Sequence, residues 1–171
     1  MGNQPISRSE ESHRYVLTKA EIDQYTGLQK THFLNKNARR VNKSLGDLTG
    51  LTGFGFHLIE VQPGDDSTEL HMHYYEDECV YILEGTAEAT IGDEQFTVTT
   101  GDFIGYRAGG KSHKLRNCGH DLLRCIVVGQ RLAHDVGDYP QLGKRIYRNQ
   151  NMPWNLVDLN HIDTPTGGKK I

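Results

Sequence analysis

Eight short runs with a repeat near two residues, separated by turn residues, fill the chain from Phe54 to Gly129. They are FGFHLIEV (54–61), ELHMH (69–73), ECVYILEG (78–85), TAEATI (86–91), EQFTVT (94–99), DFIGYR (102–107), HKLRN (113–117) and LLRCIVVG (122–129). Between them stand PGDD, the Gly92–Asp93 pair, TGD, AGGKS and NCGHD. Side chains of an extended chain alternate between two faces, so a run of this kind buries one face and wets the other. Strands at such spacing, joined by hairpin turns, form an antiparallel sandwich or barrel. The pattern predicts an all-β domain. With 171 residues the chain can bury a core without disulfides or a structural metal.

The flanks read differently. Residues 1 to 17 are polar, and Thr18 followed by Glu21 forms a capping-box pattern that predicts a short helix over 18–26, stopped by Gly27. From 28 to 50 no periodicity is evident, and Arg39, Arg40 and Lys43 form a basic cluster read as a solvated loop or arm. Beyond the strands, Tyr139, Ile146, Tyr147, Trp154, Leu156 and Leu159 make the C-terminal segment too apolar for a free tail. The expected organisation is an N-terminal arm with a short helix (1–50), a barrel (51–131) and a C-terminal arm (132–171) packed on the barrel or on a second subunit.

The stretch HMHYYEDECVYILEG, residues 71 to 85, carries the chemistry. Alternation puts His71 and His73 on one face of a strand, with Met72 on the other. The four residues Tyr74, Tyr75, Glu76 and Asp77 can reverse the chain and return Glu78 on a neighbouring strand beside the histidines. Those three side chains then converge as metal ligands. Farther on, a glycine-bearing turn leads into His113, which shares a face with Leu115 and Asn117 and could supply a fourth ligand.

These residues resemble the cupin superfamily. Its first motif, a glycine, H-x-H, a glutamate and a second glycine, is matched here by Gly64, His71, His73, Glu78 and Gly85. The second motif is matched by Gly101, Gly110, His113 and Asn117, with Ala108 in place of the usual proline. In both motifs the first spacer is longer than the common form. The resemblance covers about residues 51 to 131, and VGQRLAHDVGDYPQLGKR beyond it looks like a branch of single-domain bacterial cupins described loosely as sugar or sugar-phosphate isomerase-like. It implies a double-stranded β-helix, a jelly-roll barrel, with a metal at one end of its interior held by His71, His73, Glu78 and His113.

Three neutral imidazoles and one carboxylate suit a single divalent transition metal, whether Fe, Mn, Ni, Zn or Cu, and suit calcium poorly. Four protein ligands on an octahedral ion leave two positions open, the arrangement used for Lewis-acid or oxygen chemistry. Tyr106 shares parity with Ile104 and is expected to offer a phenol to the barrel interior as a candidate catalytic group. His57, in mid-strand, is a candidate for the cavity wall. Glu76 and Asp77 are read as solvated turn residues, and Arg107 and Lys111 as exposed loop charges.

A formal net charge of −3 gives no basic footprint, so no nucleic-acid partner is expected. The first 50 residues offer one short helix where a helix-turn-helix would be needed for binding DNA. Cys79, Cys118 and Cys125 are odd in number and lack a C-x-x-C pair, which suits reduced thiols in the cytoplasm. No run of about 20 apolar residues occurs, so no membrane association is expected. The sequence thus points to a metal-dependent enzyme on a small oxygenated metabolite, of isomerase, oxygenase, decarboxylase or lyase type, and to a homodimer. The alternative is a cupin that binds or senses a small ligand without turning it over.

Overall fold

The computed structural model describes residues 14–167. The expectation for the first residues therefore lies, up to residue 13, outside the described residues. In chain order the elements are α1 (Lys19–Gln24), β1 (Leu28–His32), β2 (Asn35–Ser44), α2 (Leu45–Leu48), β3 (Phe54–Val61), β4 (Met72–His73), β5 (Glu78–Glu84), β6 (Thr86–Ile91), β7 (Glu94–Thr99), β8 (Phe103–Tyr106), β9 (His113–Asn117), β10 (Leu123–Gln130), β11 (His134–Tyr139), β12 (Lys144–Asn149) and β13 (Asn155–Asp158). The expected strands are all present, although only Met72 and His73 of the run from 69 to 73 are regular strand. The Thr18 cap also forms, with Oγ1 accepting from the Glu21 N–H and the Glu21 carboxylate accepting from the Thr18 N–H.

One sheet runs β1-β2-β3-β10-β5-β8, all antiparallel. Opposite it lie β7-β6-β9 and β13-β12-β11-β4. The two are joined where His71 and His113 exchange backbone hydrogen bonds of 3.1 and 2.7 Å. Side chains from both layers, including Ile59, Val61, Val80, Ile82, Ala87, Ala89, Leu115, Leu123 and Cys125, fill the space between them. The result is an all-β jelly-roll barrel. Each large aliphatic buried there contributes roughly 1.5–3 kcal/mol. Asn117, wholly buried in this core, is fully satisfied: its amide donates to the carbonyls of Val61 and Asp121, and its oxygen accepts from the Gly119 N–H.

The segment from 28 to 50 is not irregular. It forms the β1–β2 hairpin and α2, and β2 pairs with β3 from Val41↔Glu60 to Ser44↔His57. Its basic residues lie on a strand, and only Arg39 of the three is exposed. Arg39 pairs with Asp65 at 2.6 Å, Lys43 is buried and donates to the Ile22 carbonyl, and Arg40 lines an internal cavity. The hairpin escapes a search for apolar alternation because the residues it turns to the cavity, among them Lys30, His32, Arg40 and Asn42, are polar. C-terminal to the barrel core, β11, β12 and β13 extend the second layer, with Tyr139 and Ile146 buried against it.

Candidate metal centre

The strands bring His71, His73 and Glu78 together, with one ligand atom of each within 4.8 Å of the others. Glu78 does not return on a strand adjacent to the histidines, as the sequence suggested. β4 pairs with β11, whereas β5 pairs with β10 and β8, so the carboxylate meets the imidazoles across the barrel interior. His113 stands beside this trio. Its ring centroid is 4.6 Å from that of His71, and its Nε2 is 3.9 Å from the Glu78 carboxylate.

Each imidazole is anchored through Nδ1. His71 donates to the Glu69 carbonyl at 2.8 Å, His73 to the Asp135 carboxylate at 2.7 Å, and His113 to the Lys111 carbonyl at 3.4 Å. All three partners are acceptors, so Nδ1 carries a proton, and each ring in its neutral form keeps its lone pair on Nε2. Burial, helped by the neighbouring imidazoles of His113 and His73, holds the pKa of His71 well below its usual value. Burial holds that of His113 down to about 4. Both are thus neutral donors at pH 7. Burial also raises the Glu78 pKa against the pull of His73 and Arg40, so a cation beside this carboxylate would favour its charged form.

The Nε2 atom of His113 is buried and has no hydrogen-bond partner among the described residues. Such an orphan costs about 1–3 kcal/mol unless something meets it. Three imidazoles presenting Nε2, together with a carboxylate, fit a transition ion by donor type.

Tyr106 stacks flat on His113, with centroids 3.7 Å apart and planes 5° apart, and its hydroxyl is buried without a partner. Burial and the nearby Glu78 carboxylate push its pKa upward, so the phenol stays protonated. His57 also lines the cavity, and Asn42 lies 3.2 Å from its Nδ1. Cys79 does not line it, and the Cys125 thiol is buried in the core with its pKa pushed up to about 12.

Behind His73 lies a layer that the sequence reading missed. Asp135 is fully buried, and Arg148 donates to it at 2.7 Å and also to Glu76. Glu76 is therefore no solvated turn residue: it is buried, and it also accepts from the Leu132 N–H at 2.9 Å. His73, Glu76 and Asp135 form a second trio within 4.8 Å, but the Arg148 guanidinium already supplies the positive charge there. A signal for these residues exists in HDVGDYPQLGKRIYRN. Asp138 and Arg145, and Asp135 and Arg148, sit symmetrically about the Pro140–Gly143 turn and are direct cross-strand partners. Asp77, by contrast, is exposed, and it accepts from the Ala108 N–H at the second motif's turn.

A cavity of about 710 Å³ opens over the four candidate ligands and Tyr106, and its wall includes Lys30, Arg40, His57, Tyr139 and Arg148. A sequence model of the cupin domain matches residues 57–129. The crystal structure of a proposed sugar phosphate isomerase from Acidithiobacillus ferrooxidans is 47% identical, covers 88% of this chain and 96% of its own, and superposes with a TM-score of 0.85. A sugar phosphate isomerase of the cupin superfamily from Silicibacter pomeroyi shares the fold at 22% identity and a TM-score of 0.73, over 81% of this chain and 90% of its own. An uncharacterised protein of Methanocaldococcus jannaschii is 38% identical over 66 residues, which are 39% of this chain and 52% of that protein. The chain thus spans about half the length of that curated relative. Given the jelly roll, the matched domain and the near full-length similarity to the Acidithiobacillus structure, this chain belongs to the cupin superfamily.

Proposed function

We propose that the chain is a metal-dependent enzyme acting on a small oxygenated metabolite, with one divalent transition metal held by His71, His73, Glu78 and His113. The observation that carries this reading is the common tautomer of the three imidazoles, each with Nδ1 engaged, above a cavity large enough for a metabolite. When bound, the ion supplies Lewis-acid polarisation of a chelating oxygen, or a site for oxygen activation. The chain's own residues do the rest. Asp135 and the Glu69 and Lys111 carbonyls hold the rings in place, and Tyr106 keeps a protonated phenol in the wall, able to donate to a substrate oxygen. Neither Cys79 nor Cys125 is placed to attack a substrate. The substrates that suit such a site carry adjacent oxygens, as hydroxy-ketones and keto acids do, and the reaction is of isomerase, oxygenase, decarboxylase or lyase type. The name of the Acidithiobacillus relative falls within this class.

The same reading includes a homodimer in the cytoplasm. The three cysteines stand as free thiols, and no described helix is long and apolar enough to cross a membrane.

The test is metal analysis of protein purified without chelators or a metal-binding tag, followed by a substrate screen in that metal form. About one ion per chain is expected, with loss in a His71→Ala, His73→Ala double variant and lost turnover in Glu78→Gln. Full metal content in the double variant would overturn the ligand assignment. Tight ligand binding without turnover in every metal form would instead mark a binding or sensing protein.

A further inference from the structure

Lys30 and Arg40 are direct cross-strand partners in the β1–β2 hairpin, and both line the cavity that holds the candidate ligands. Like charges facing each other across a ladder destabilise it, so the pairing needs a reason. Other cations of the same wall have acids of their own. Arg131 pairs with Asp47 at 2.6 Å, Lys114 lies 3.9 Å from Asp66, and Arg148 pairs with Glu76 and Asp135. Within the hairpin, Arg39 pairs with Asp65, and Lys43 lies 3.9 Å from Glu60. Among the described residues, neither Lys30 nor Arg40 has a carboxylate within 4.0 Å.

Arg40 lies deeper than Lys30. Its guanidinium donates to the Ser67 carbonyl, while its Nε is buried with no partner. Lys30 is exposed and lines the same cavity. Glu78 attracts Arg40 only at longer range, and a metal ion on Glu78 would take up that charge. Two cations without counterions on one cavity wall form an anion subsite. A phosphate ester carries about −1.5 to −2 charges near pH 7 and several acceptor oxygens, so it can match both. A single carboxylate would leave one cation unmatched.

Resting on the metal-centre reading above, we propose that Lys30 and Arg40 bind the phosphate group of a phosphorylated substrate whose other end reaches the metal ligands. This assigns substrate selection to a hairpin outside residues 57–129, the part matched as a cupin domain.

The test is calorimetric titration of the full chain with inorganic phosphate and, in parallel, acetate. Phosphate is expected to bind at least tenfold more tightly than acetate. Arg40→Gln should weaken phosphate about tenfold or more and Lys30→Gln about threefold or more, both with wild-type metal content. Arg40→Lys, which keeps the charge and loses the fork, should fall between wild type and Arg40→Gln. It provides a folded variant should the glutamine disturb the strand. Phosphate captured by the metal itself is separated by the His71→Ala, His73→Ala variant, in which Arg40-dependent phosphate binding should persist. Phosphate binding that vanishes with the metal and ignores Arg40 would overturn the subsite. Arg40-dependent phosphate binding in a wild-type protein that holds no metal would sink the metal-centre reading and leave the subsite standing.

Discussion

Asp135 shows how much of a site can depend on one side chain outside the ligand set. Burial pushes its carboxyl pKa upward, but hydrogen bonds from His73 and Arg148, together with the Arg148 charge, win and hold it at about 2. The carboxylate therefore stays ionised and keeps the His73 proton on Nδ1. An amide would keep an acceptor and lose the charge. Asp135→Asn should accordingly weaken metal binding by about 10–100-fold, as measured by competition with a chromogenic chelator. Asp135→Ala would be harsher, because removing one partner of a buried ion pair costs about 3–5 kcal/mol. Of the candidate ligands, His71, His73 and Glu78 were readable because they lie within one short stretch whose spacing and alternation define a face. Asp135 was not, because its partner His73 is 62 residues away in the chain.

At the scale of elements, the barrel depends on tight turns, some of which carry the chain to the opposite layer. Gly85, between β5 and β6, has φ +95°, and a Cβ there would stand 3.0 Å from the Leu122 carbonyl oxygen and 3.1 Å from the Leu123 Cα. Both neighbours are backbone and cannot rotate away. Gly85→Ala should destabilise the fold by about 1–3 kcal/mol, seen as a lower urea midpoint at unchanged slope. Gly92, at the first position of the two-residue β6–β7 turn, has φ +60°, in keeping with the hairpin expected from the Gly92–Asp93 pair. Strands that bury apolar side chains on one face declared themselves by period. β1 and β2 did not, because Lys30, His32, Arg40 and Asn42, all polar, line the cavity and invert the usual rule of apolar inside.

For the whole molecule, the six-stranded sheet of the described residues ends in open edges at β1 and β8. Beside the second edge, Tyr81 and Phe103 form an exposed cross-strand pair, and Leu83 continues the same face of β5. An open edge next to exposed aromatics is where a second copy would pack. Light scattering at about tens of micromolar is expected to report two chains, and Phe103→Ser is expected to shift the protein toward monomer; a wild-type monomer at that concentration would remove the homodimer from the reading. The sequence by itself determined the barrel core and placed four candidate ligands, because alternation and motif spacing are local and a β-strand converts them directly into faces. Only the tertiary structure decided that Glu78 meets the histidines across the barrel, that Arg148 and Asp135 brace His73, and that Lys30 and Arg40 share the cavity. Those relations join segments distant in the chain through polar groups, and polar burial leaves no periodic signature until the fold supplies its partners.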